Sequence, residues 1–220
     1  MRKHGVITFF IEACLIQACI VAACSVAFGA AQDAVERGRY LVEGVLTCGN
    51  CHSPRGPGGV VDATKLYSGG PQTWDEPTFT VKGSNITPDA ETGIGRWSPE
   101  DIKRAIQQGV RPIGSHIAPI MPSKFYKVFT AGDLDAVVAY LRSVPPVHNQ
   151  VAPPVYKAAL PAEVVPAGDK PPSEADLRDP VERGRYLATI GHCMECHTPG
   201  TPEHHDFADS LGKGGQKFPG

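Results

Sequence analysis

Two pentapeptides in this sequence have the residue types and spacing for iron chemistry: Cys48-Gly49-Asn50-Cys51-His52 and Cys193-Met194-Glu195-Cys196-His197. Two thiols separated by two residues reach the two vinyl groups of one haem, and a histidine directly after the second thiol is then carried beneath the iron as an axial ligand. A thioredoxin-like redox pair needs a βαβ setting that this sequence lacks, and a zinc site would have to gather four ligands across 145 residues. Two structural disulfides would suit an oxidising compartment, but they give no reason for a histidine after each pair. Cys48, Cys51, Cys193 and Cys196 are therefore read as attachment points for haem c, with His52 and His197 as iron ligands.

Each motif continues into a hydroxyl residue and a proline, Ser53-Pro54 and Thr198-Pro199. A carbonyl near that turn is expected to accept a hydrogen bond from the second ring nitrogen of the histidine, which fixes the tautomer that faces iron. The sixth ligand of the first haem must come from elsewhere. Met194 lies inside its own CxxC and cannot swing to the distal side, which leaves Met121, in Ile120-Met121-Pro122, 69 residues after His52. Core filling is the alternative role for this methionine. A histidine–methionine pair raises the reduction potential and leaves no open position, so it favours electron transfer over chemistry at iron.

The elements that position these residues come in two copies. Val35-Glu36-Arg37-Gly38-Arg39-Tyr40-Leu41 returns unchanged as Val181-Glu182-Arg183-Gly184-Arg185-Tyr186-Leu187, each time shortly before a CxxCH. The repeat unit reads as a helix leading into a haem-binding loop. Asp33 is expected to cap the first such helix, with Gly38 and Tyr40 shaping its surface for close packing. Ser98-Pro99-Glu100-Asp101 starts a second helix whose apolar face is Ile102, Ala105 and Ile106, ended by Gly109. Thr130 and Asp133 start a third, with Leu134, Val137, Val138 and Leu141 on one face, stopped by Pro145 and Pro146.

The expected fold is all-α: a cytochrome c-like helical domain over residues 32–147, a proline-rich linker over 148–180, and an incomplete second module over 181–220. The linker's prolines and its lack of sustained periodicity predict an extended, semi-rigid spacer.

At the start of the chain, Arg2 and Lys3 precede an apolar stretch from Gly5 to Ala31, the layout of a secretory signal with cleavage after Ala31. An uncleaved membrane anchor and a lipobox-like Val21-Ala22-Ala23-Cys24-Ser25 are the alternatives, and all three export the chain to the periplasm. Removing Arg2, Lys3 and Glu12 leaves 19 basic and 22 acidic residues, a balance that gives nucleic acid no footing as a partner. Three of the seven cysteines, Cys14, Cys19 and Cys24, belong to this leader.

With these features located, the chain resembles the dihaem and multihaem cytochrome c family that includes the cytochrome subunits of periplasmic alcohol, aldehyde and related dehydrogenases. The resemblance rests on the RGRYL helix, Cys48 to His52, Asn85-Ile86-Thr87-Pro88-Asp89, Thr92 to Ser98, Met121-Pro122 and Ala139-Tyr140-Leu141-Arg142. It implies that Gly38 and Tyr40 pack against Tyr140 and Leu141, and that Asn85 and Trp97 line the haem edge, either holding a propionate or, for Trp97, simply shielding the porphyrin. His116 and His148 are then loop residues.

The resemblance also implies an electron carrier rather than an enzyme. A periplasmic dehydrogenase would be the donor, and quinone, an oxidase or another cytochrome the acceptor. Lys124 and Lys127 are candidates for docking an acidic partner. The second module is expected to be truncated, since 23 residues follow His197 with no closing helix for Gly184 and Tyr186 and no distal methionine. A five-coordinate second haem, or one ligated by His192, His204 or His205, would open a peroxidase-like alternative; a scaffold role is the other.

Overall fold

The structure is a computed structural model that describes residues 32–160, 170–201 and 204–215. The leader, its three cysteines and the centre of the linker lie outside the described residues, and so do the side chains of His204 and His205. Helix α1 comprises residues 32–39 and the π-helical turn Tyr40–Val45 that continues them. The other helices are α2 (Gly49–His52), α3 (Pro99–Gln108), α4 (Ser123–Tyr126), α5 (Ala131–Ser143), α6 (Pro180–Ile190) and α7 (Cys193–His197).

Helices dominate, but the all-α expectation needs correction. Strands β1 (Thr73–Asp75), β2 (Phe79–Lys82) and β3 (Val155–Tyr156) form an antiparallel sheet in that order, and β4 (Gly200–Thr201) pairs with β5 (His204–His205). These strands are two to four residues long, too short for a period-two pattern to stand out against loop sequence.

The helix boundaries follow from local chemistry. Ser98 Oγ accepts the Asp101 backbone N–H at 3.1 Å while Asp101 accepts the Ser98 N–H at 3.2 Å, a reciprocal capping box, and Gly109 closes α3 in the left-handed region at φ 63°. Ile102, Ala105 and Ile106 are its buried face, as the spacing predicted. Thr130 caps α5 through the Asp133 N–H at 3.2 Å, and Leu134, Val137, Val138 and Leu141 are buried along it.

Helix α1 departs from expectation. It is already helical at residue 32, so Asp33 is not its cap, and the turn Tyr40–Val45 is widened, with the Leu46 N–H donating to the Leu41 carbonyl at 2.8 Å. The wider turn lets two consecutive side chains, Leu41 and Val42, both become fully buried. They join Phe125, Phe129, Val137 and Ile190 in one core formed by both copies of the repeat.

The start of the linker is held in place. Its first part folds back onto the first module: β3 pairs with β2, Asn149 donates to the Ser68 carbonyl at 2.8 Å, and Lys157 meets Asp75 at 2.5 Å. Prolines at 153 and 154 remove their own donors but leave Val155 and Tyr156 able to pair at a sheet edge. These contacts tie residues 149–158 to the first module.

Several carboxylates in this framework are held below the usual range. The Ser98 hydroxyl and N–H do this to Asp101, the Thr92 N–H and hydroxyl to Asp89, and Lys157 with Thr80 to Asp75. Below the ordinary aspartate value of about 3.9 the unfolded chain takes up these protons while the folded chain still resists them, so stability falls on acidification. Denaturant midpoints measured from pH 6 to 3 should fall below about pH 4, and Asp101→Asn should flatten part of that slope.

Candidate haem-binding site

Both CxxCH motifs lie on single helical turns, α2 and α7, each entered through a residue in the left-handed region, Thr47 at φ 48° and His192 at φ 44°. Cys51, Cys193 and Cys196 are exposed and Cys48 is half-buried, and none of the four is in a disulfide. Burial pushes the Cys48 thiol up to about 12.

His52 has the geometry of an oriented ligand. Its Nδ1 lies 2.7 Å from the Ser84 carbonyl oxygen, a contact that requires the proton on Nδ1 and leaves Nε2 unprotonated, with its lone pair available. Burial lowers the imidazole's pKa, with the Ser84 contact opposing, so the neutral, metal-binding form is favoured. The orienting carbonyl thus comes from Ser84, not from the turn after the motif. It is placed by β2, which ends two residues before it, so the sheet missing from the sequence reading performs this task. Nothing in the sequence marks a backbone carbonyl 32 residues away.

The hydroxyl residues after the motifs have a different job. Ser53 and Thr198 are both fully buried. Ser53 Oγ accepts the Tyr67 N–H at 3.0 Å and Thr198 Oγ1 accepts the Gly212 N–H at 3.1 Å, each across 14 residues. In parallel, the His52 carbonyl accepts from Gly69 at 2.8 Å and the His197 carbonyl from Gly214 at 2.7 Å. Tyr67 and Gly212 even share a positive φ, 64° and 71°. The two loops are one structure built twice, and the second is folded at least as far as Gly215.

Around the first motif the backbone packs without room to spare. A Cβ on Gly83 would sit 2.8 Å from the Cys51 carbonyl carbon and closer still to its oxygen, and Gly70 meets the same carbonyl. These two glycines, missed by the sequence reading, let the loop after the motif wrap tightly against α2.

Met121 is half-buried and borders the same core as Cys48 and Trp97. Its turn is pinned by the Met121 N–H to the Ala118 carbonyl at 3.0 Å and by the Ser123 N–H to the Met121 carbonyl at 2.8 Å. Ser123 Oγ, two residues on, is buried without a protein partner. An imidazole presenting a free nitrogen, a thioether, two unbridged thiols and a donor with nothing to bond form a set that fits a covalently held haem.

Asn85 sits in a hydrogen-bond network of its own. Its Nδ2 donates to Thr92 Oγ1 at 3.0 Å and the Val147 carbonyl at 2.8 Å, and its Oδ1 accepts from the Thr87 N–H and hydroxyl. It clips the returning linker to the loop that follows Ser84, with both amide protons already used. Trp97 is half-buried against the core, and its carbonyl accepts from Arg142 at the end of α5. His116 and His148 are exposed loop residues, as expected.

Two further expectations are corrected. Gly38 does pack against Ala136 and Tyr140 of α5, but Tyr40 points outward beside Arg37 at 48% exposure, and Leu41 takes the inner position. Lys124 turns inward to Glu195 of the second motif at 3.7 Å and lies over the rings of Phe125 and Phe207, so it is no docking lysine.

A helical domain that carries a CxxCH turn, an oriented proximal imidazole and a methionine loop on a shared core is a c-type cytochrome domain. Residues 33–141 match the family model described as cytochrome c oxidase, cbb3-type, subunit III. The chain is 35% identical over 161 residues to a dihaem cytochrome c-type protein of Cereibacter sphaeroides, covering 69% of this chain and 53% of that protein. It is 36% identical over 185 residues to the gluconate 2-dehydrogenase cytochrome c subunit of Pantoea cypripedii, covering 77% and 39%. It is 32% identical over 194 residues to the cytochrome c subunit of the quinone alcohol dehydrogenase of Gluconobacter oxydans, covering 79% and 38%. The chain belongs to the cytochrome c family, and it spans about half or less of the length of these relatives.

Proposed function

We propose that this chain is an exported cytochrome that receives electrons from a dehydrogenase subunit and passes them toward quinone, an oxidase or another cytochrome. Cys48 and Cys51 would hold haem 1 between His52 and Met121, and Cys193, Cys196 and His197 would hold haem 2. Bound haem supplies the one-electron couple. The protein's part is to hold the His52 ring in one tautomer through Ser84, to keep water from the haem with the Leu41 and Phe125 core, and to present a docking rim. The His52–Ser84 contact is the observation that carries this reading.

The second haem is supported by the duplicated loop, since Thr198 and Gly214 repeat the bonds of Ser53 and Gly69. The dehydrogenase partner is suggested by the relatives from Pantoea cypripedii and Gluconobacter oxydans, both named as cytochrome c subunits of dehydrogenases. Export rests on the leader alone; no helix among the described residues is long and apolar enough to cross a membrane.

Haem stoichiometry tests the proposal. Matured protein exported to a periplasm should gain the mass of two porphyrins, and a Cys193→Ala, Cys196→Ala double variant should gain one. A colourless product of unmodified mass would refute the reading outright; one porphyrin in the parent chain would refute haem 2.

A further inference from the structure

The two copies of the heptapeptide meet at one carboxylate. Asp133, in the first turn of α5, accepts Arg37 Nε at 2.7 Å and Arg37 Nη2 at 2.8 Å from copy one, and the Tyr186 hydroxyl at 2.9 Å from copy two. The Tyr186 oxygen in turn lies 3.4 Å from the Thr130 N–H at the α5 cap. Asp133 is 8% exposed and Tyr186 4%, so this junction is sealed between the modules. It is the reverse of the expectation that Tyr186 would lack a partner: the first module supplies it.

From Tyr186, α6 runs directly to the second haem motif. Ile190 is fully buried in the first module's core. His192, the residue before Cys193, packs its ring 6.3 Å from Phe125 and 6.5 Å from Tyr126 of α4. Glu195, inside the motif, faces Lys124 at 3.7 Å. The second CxxCH turn thus packs on α4 of the first module, and α6 is the rod whose anchorage places it there.

We propose that Asp133 is the positioning residue that locks α6 onto the first module and thereby sets the separation of the two haems. A carboxylate suits the task because it takes a bidentate guanidinium and a phenol at once, leaving neither module free to rotate about a single bond. Buried apolar contact alone would hold α6 close but would not fix its rotation, since such contact is non-directional. The inference rests on the two-haem reading above.

The test uses the fully matured two-haem chain. Pulsed EPR reads the dipolar interaction between the two ferric haems, with the absorption spectrum of haem 1 as a control on local folding. Asp133→Asn should keep two haems per chain and an unchanged haem 1 spectrum while the single inter-haem distance spreads into a broad distribution. Tyr186→Phe, which keeps the Arg37 pair, should broaden it less and serves if Asp133→Asn fails to fold. A narrow, parent-like distance in both variants would overturn the proposal. Should the parent carry only haem 1, the two-haem reading fails separately, and amide exchange along α6 then decides: faster exchange in both variants keeps the anchoring role, unchanged exchange removes it.

Discussion

Replacing Met121 by alanine should lower the midpoint potential of haem 1, abolish the far-red sulfur-to-iron band and make the reduced haem bind carbon monoxide. Axial ligand identity moves haem potentials within a span of about 0.8 V, and loss of the thioether is a change of this kind. The expected sign is downward, since methionine sulfur favours the ferrous state. Truncating a half-buried methionine beside the core costs about 2 kcal/mol in packing, too little to unfold a typical domain. The spectral change is therefore separable from misfolding. Retention of the far-red band in the variant would exclude Met121 as ligand and leave it a packing residue of the core shared by Cys48 and Trp97.

The same substitution at two glycines with identical sequence neighbours should have opposite effects. A Cβ on Gly38 would sit 2.6 Å from the Tyr140 Cβ and closer to the Ala136 carbonyl oxygen, where the fixed backbone of α5 cannot yield. Gly38→Ala should therefore destabilise the first module by about 3 kcal/mol, the upper end of overpacking costs, because α1 must back away from α5 and carry Cys48 with it. At Gly184 a Cβ meets nothing within 4 Å, on an exposed face of α6. There alanine gains helix propensity, and Gly184→Ala should stabilise by ~0.5–1 kcal/mol. Denaturant midpoints of the two variants, compared with the parent, check both signs; equal shifts would show that the modules do not pack as described.

Much of the local structure was legible. Ser98 with Asp101, Thr130 with Asp133, and the apolar faces of α3 and α5 depend on residues a few positions apart, so their interactions are written in the spacing. The CxxCH turns were legible for the same reason: a thiol pair and the histidine beside it are fixed by one helical turn. What escaped detection was non-local or carried by backbone. Ser84 contributes only a carbonyl, Gly70 and Gly83 only the lack of a side chain, and β3 only two residues from within a proline-rich stretch. Asn85 did stand out as a haem-edge residue, but that it also joins Thr92 to Val147, 62 residues away, was not legible.

By itself the sequence determined which groups are on offer for the chemistry, two thiols and an imidazole in each motif and one thioether outside them, and which segments become helical. Only the tertiary structure decided how the duplicated helix is used. Tyr40 and Tyr186 share the residues that precede them in the repeat and the leucine that follows, yet one is at the surface and the other is sealed against Asp133. Propensity and periodicity are equal for the two copies, so the choice lay with what each helix found to pack on: α5 for Gly38, the completed first module for Tyr186.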